Sequence, residues 1–175
     1  MYPNEYIEFL VHFHCDQDYF ECHEILEEYW KKVDPGNKDS IWVGFILLAV
    51  SAYHHRRKNF KGAEKTLIKS KQLLEKKQDI IRKLGLDNSK LLLLLKIQEE
   101  HIKQHHAFST YHLPIKDHNL EMNCIDSALI KGLKWKTREP VPFEIIHRHI
   151  SRDRSMVIKE RENALLQRKQ KDKHF

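Results

Sequence analysis

The chain has 175 residues, 32% of them charged, with 31 Lys and Arg against 25 Asp and Glu for a formal net charge of +6. That length suits one domain with a full core plus an appendage. Five Gly and five Pro are too few for the turns of a β-rich fold, and the longest apolar stretch, Ile41 to Tyr53, is too short to span a bilayer.

Charge is unevenly placed. Residues 1–39 hold 3 basic and 10 acidic side chains, whereas residues 54–96 hold 13 basic and 4 acidic ones. Residues 131–175 hold 13 basic and 6 acidic ones. An acidic first hairpin attracts such basic segments or steers partners, while the mean charge argues poorly for nucleic acid. The opening residues, Met1-Tyr2-Pro3-Asn4-Glu5, have neither the positive nor the apolar region of a secretory signal. Cys15, Cys22 and Cys124 are odd in number and form no CxxC pair, which reads as reduced thiols. A cytoplasmic protein is therefore expected, with Cys22 as a small core residue.

A first helix is expected over residues 3–14, with Pro3 in the first turn, where its missing N–H is not needed. Tyr6, Phe9, Leu10 and Phe13 form its apolar face. The second helix is expected over 19–33. Asp18 with Glu21 resembles a capping box, and Asp34-Pro35-Gly36 ends the run. Its stripe reads Tyr19, Cys22, Leu26, Tyr29 and Val33, with Phe20, His23, Glu27 and Trp30 on the shoulder. The third helix, 41–58, is apolar nearly all round and should be central, with Gly44 at a close crossing. A fourth is expected over 62–84, stopping at Gly85, with Ala63, Leu67, Ser70, Leu74, Ile81 and Leu84 inward. A fifth, capped by Asp87-Asn88-Ser89, is expected over 90–108.

Beyond it, residues 111–115 and 120–124 read as the two strands of a small hairpin. A short helix over 126–133 and a linker over 136–142 follow. Residues 151–171 read as a charged helix with a thin stripe of Val157, Ala164, Leu165 and Arg168. Such a helix is marginal alone, so it should dock on the main body, in a homodimer, or on a protein partner. The chain thus reads as all-α. It divides into a compact bundle-like helical array (1–108), an irregular extension (109–150), and a charged C-terminal helix and tail (151–175).

The informative constellation is His23-Glu24-Ile25-Leu26-Glu27-Glu28. His23 and Glu27 are four apart and share one helical face with Phe20 and Trp30. The connection to the third helix is short, so the end of that helix, with Tyr53, His54 and Arg57, should return near His23. A partly desolvated imidazole and carboxylate need partners. In one reading His23, Glu27 and His54 ligate a divalent transition metal, with Glu24 or Glu28 as the base of a metal-dependent hydrolase. In the other, His23, Glu24, Glu27, His54, Arg57 and Asn59 form a paired polar site joining the helices of a non-enzymatic binding protein.

Phe13-His14, the run from Asp18 through His23-Glu24, Glu27-Glu28 and Trp30, and the later block from Ala49 through Tyr53-His54 to Asn59 and Gly62-Ala63 resemble the two motifs of the domain-of-unknown-function 309 family. The resemblance covers roughly residues 9–74 and matches at His23, Glu24, Glu27, Trp30, His54, Asn59 and Gly62. It implies a compact all-helical fold of a bacterial, cytoplasmic type, and no activity.

Other motifs are weaker. His101 and His105 are four apart beside Glu100 and His106, which suits a solvated helix end better than a metal site. Neither GxSxG nor P-loop glycines occur. His147-Arg148-His149 through Arg154, and Arg168-Lys169-Gln170-Lys171, have the chemistry to touch phosphate, though such runs are more often solvated ends.

Overall fold

Side-chain caps set where four of the helices begin. The computed structural model describes residues 1–151 together with Lys159, Glu162 and Asn163. α1 (Asn4–His14) follows Pro3, whose φ of −58° already suits a helix start. α2 (Tyr19–Val33) begins at Asp18, whose carboxylate accepts the Glu21 N–H at 3.0 Å. After α3 (Ile41–Arg56), Asn59 accepts the Gly62 N–H at 3.0 Å and opens α4 (Phe60–Glu75). α5 (Gln78–Lys83) is a single short segment. Asp87 caps α6 (Asn88–Lys103) through the Lys90 N–H, and Asp117 caps α7 (His118–Ile130) through that of Leu120. α8 (Phe143–Ile146) and α9 (Arg148–Ser151) are four residues each.

The helices pack in the order α7, α1, α2, α3, α4, α6. α3 is central, with ten of its residues buried on nearly all sides. Tyr6, Phe9, Phe13, Tyr19 and Phe45 are fully buried, with ring centroids of adjacent pairs 5.0–6.4 Å apart. Each such ring contributes about 1.5–3 kcal/mol by leaving water. Gly44 lets α3 and α4 approach: a Cβ there would lie 2.9 Å from Leu74 Cδ2. Two buried hydroxyls tie the pair, Ser70 donating to the Gly44 carbonyl at 2.7 Å and Ser51 to that of Ala63 at 2.8 Å. All six inward positions expected on the fourth helix are buried.

Four local expectations are corrected. The fourth helix is two helices, α4 and α5, broken at Lys76-Lys77 so that Ile81 and Leu84 turn into the core, where the Leu84 carbonyl accepts the Tyr6 hydroxyl at 3.0 Å. The fifth ends at Lys103, and His105 takes a positive φ of 56°. The expected hairpin is absent from the described residues. Residues 120–124 start α7, which buries Leu120, Cys124 and Ala128 at a four-residue spacing and packs on α1. An isolated bridge from Leu86 to Ile115 is the nearest thing to strand pairing among the described residues. Val33, expected in the stripe of α2, is 48% exposed beside the exposed Lys31 and Lys32 of that helix's last turn. The helix expected over 151–171 lies almost wholly outside the described residues.

Candidate functional site: a polar face on two helices

The start of α2 and the end of α3 meet through aromatic rings. Phe20 lies 6.0 Å from the Tyr53 ring and 6.1 Å from that of His23. Beside them His23 sits between two carboxylates. Its Nδ1 is 3.2 Å from Glu24 Oε1 and its Nε2 3.0 Å from Glu27 Oε2. Glu27 also pairs with Lys31 at 2.8 Å. The side chains of His23, Glu24 and Glu27 are 27%, 37% and 33% exposed, so the face is half-buried rather than enclosed. Pairs this wet contribute roughly 0–1 kcal/mol each. An open depression of about 260 Å³ runs along the same helix, lined by Glu21, Glu24, Ile25, Glu27, Glu28 and Lys31.

Among the described residues, His23, Glu24 and Glu27 bring three potential ligand atoms within 4.8 Å of one another. Neither His54 nor Glu28 belongs to that group. His54 Nδ1 instead accepts the Asn59 side-chain N–H at 3.1 Å, and Asn59 uses its oxygen to cap α4. Burial, then the neighbouring Arg57 charge, lowers the His54 pKa, which keeps the imidazole neutral. Arg57 lies over the Tyr53 ring at 5.4 Å and donates from Nε to His147 Nδ1 at 3.2 Å. The six polar residues therefore form two groups, one on α2 and one at the α3–α4 corner, with Phe20 and Tyr53 at the junction.

Sequence reasoning missed what covers this corner. Arg148 makes an ion pair with Asp18 and approaches Glu21 at 3.9 Å. The Tyr53 hydroxyl accepts the His149 backbone N–H at 3.3 Å and pairs with Nδ1 of the same residue. Asp18 is only 1% exposed. Burial raises its pKa, against the Glu21 N–H and Arg148, which lower it. No local signal could have joined Arg148 to Asp18 across 130 positions. The only hint was the contrast between an acidic first hairpin and a basic C-terminal segment.

The other candidates do not build a reactive centre. Burial pushes the Cys15 thiol up to about 11 and that of Cys124 to about 12, with Cys22 also raised, so thiolates are scarce at neutral pH. His101 and His105 do not share a helical face, because α6 ends between them. His105 stacks on Phe60 at 4.5 Å.

Residues 6–66 match the family model described as a domain of unknown function (DUF309). Over 170 residues the chain is 44% identical to "Uncharacterized protein YpuF" of Bacillus subtilis (strain 168), an alignment covering 97% of this chain and 98% of that relative. The chain belongs to the DUF309 family. No solved structure matches it. The matched DUF309 span runs from α1 into α4 and includes the polar side chains of both groups, while Arg148 and its neighbours lie outside it. The all-helical fold expected from the resemblance is the one observed, and no helix among the described residues is long and apolar enough to cross a membrane.

Proposed function

We propose that the protein is a non-enzymatic binding or interaction protein of the bacterial cytoplasm, using the polar face of His23, Glu24, Glu27, His54, Arg57 and Asn59. The observation that supports this best is the half-exposed ion-pair row on α2. Both nitrogens of His23 already face carboxylates, and the depression beside them is open rather than enclosed. An active site commonly excludes water and positions an activated group, whereas a recognition surface needs accessible, oriented charge. The test is affinity capture with full-length protein from a bacterial extract, comparing wild type with a Glu24→Gln/Glu27→Gln variant of unchanged melting temperature. A partner held by wild type and lost from the variant is expected; identical captured sets would contradict the proposal.

A second reading, a divalent transition metal held by His23, Glu27 and Glu24 in place of the expected His54, is favoured by the convergence of their three ligand atoms. All three carry ligand chemistry, and His23 Nε2 already lies 3.0 Å from Glu27 Oε2. On that reading the protein would be a metal-dependent hydrolase, with Glu28 as base, since Glu24 is taken up as a ligand. The C-terminal segment after residue 151 remains the proposed contact for a homodimer or protein partner.

A further inference from the structure

The segment that crosses the α2–α3 corner is held by its polar end. In α8 and α9, Phe143 is 70% and Ile150 67% exposed, and the half-buried Ile145 and Ile146 are not among the apolar side chains packed on the core, so these groups add little to docking. Its specific contacts are those of three consecutive residues. His147 accepts from Arg57, Arg148 pairs with Asp18 near Glu21, and His149 engages Tyr53 twice. The receiving groups are well fixed. Asp18 is buried, with Oδ1 committed to the cap of α2 and Oδ2 turned to the guanidinium. The helix N-terminus also stabilises this carboxylate. The surrounding residues 1–39 have an excess of seven acidic side chains. A segment attached by few apolar contacts belongs to the low-stability end of a fold.

We propose that the strap formed by residues 143–151 is an internal occupant of a recognition surface made by Asp18, Glu21, Tyr53 and Arg57. The external occupant is a short arginine-bearing segment of another protein, which must displace the strap. This rests on the interaction-protein reading and gives that reading a partner class and a built-in competitor. The chemistry follows from what is seated there: a guanidinium for Asp18, a neighbouring group able to pair with a phenol, and an acceptor for Arg57.

The probe is a synthetic peptide of residues 141–151, titrated into isotope-labelled full-length protein and followed by the amide signals of Glu21 and Tyr53. A short tether gives the strap an effective concentration of roughly 1 mM. A strap that stays closed against this surface therefore has an affinity in that range or tighter. In an Arg148→Ala protein the peptide should shift both signals at about 0.1 mM, whereas wild type, where the strap competes at roughly 1 mM, should need roughly tenfold more. The same peptide with its arginine replaced by alanine should do neither. An Asp18→Asn protein, which keeps a good cap, should lose the response in the Arg148→Ala background. Equal peptide requirements in wild type and Arg148→Ala, no shift by about 10 mM, or a response that survives Asp18→Asn would each overturn the proposal. Such a failure leaves the capture test intact, because Glu24 and Glu27 are unaltered in these proteins.

Discussion

Asp18 has two separable roles, and substitutions distinguish them. Its Oδ1 caps α2, while Oδ2 holds Arg148. Asp18→Asn keeps the cap, and Asp18→Ala loses it, so the alanine variant should be less stable by about 1 kcal/mol in urea unfolding. Equal stability would show that the cap is dispensable. The cap was legible, because Asp followed three residues later by Glu is a local signal. The ion pair was not, because nothing local points across 130 positions. His14 was likewise unreadable as a buried residue. It stacks between His112 and Trp135 at 5.1 and 4.9 Å, and its Nε2 accepts the Leu113 N–H. Burial, then His112 and Lys136, lower its pKa to about 3. The unfolded chain protonates this group near 6.5, so its contribution is full above that pH. Stability falls as pH drops from about 6.5 toward 3, by roughly 1.4 kcal/mol per unit. Between pH 7 and 5, wild type should lose about 2 kcal/mol more than His14→Gln. Parallel losses would place His14 in a solvated site.

Elements were legible in proportion to the length of their pattern. α1, α2 and α3 each show several turns of apolar spacing, and their cores follow from it. α7 was misread because residues 120–124 alone fit alternation. The four-residue spacing emerges only when Ala128 is included, and Asp117 supplies the cap. The break between α4 and α5 has neither Gly nor Pro to announce it; the need to bury Ile81 and Leu84 sets it. The close crossing at Gly44 was readable, and it makes a prediction. Gly44→Ala gains about 1 kcal/mol of helix propensity but drives a methyl against fully buried Leu74. Overpacking costs roughly 1–3 kcal/mol, so the net effect should be a lower melting temperature. A higher one would mean that α3 and α4 separate more easily than their hydroxyl ties suggest.

At the scale of the molecule, the short α2–α3 connection brought the two halves of the motif to one side but not to one point. His23 with Glu24 and Glu27 faces along α2, whereas His54 is engaged by Asn59 at the next corner. Helix proximity was predictable from loop length; rotation about each axis was set by the Phe20–Tyr53 contact and by the Asn59 cap. That separation leaves three candidate ligands on one helix, the same number that catalytic zinc takes from a protein beside its water, so a binding measurement rather than a ligand count separates the two readings. The central claim, that this face recognises a partner rather than holding a metal, is tested most directly by calorimetric titration of untagged full-length protein with zinc and with manganese, beside His23→Ala. The account predicts no stoichiometric binding in either protein and a melting temperature that chelator leaves unchanged. A single site filled in wild type and lost in His23→Ala would contradict it.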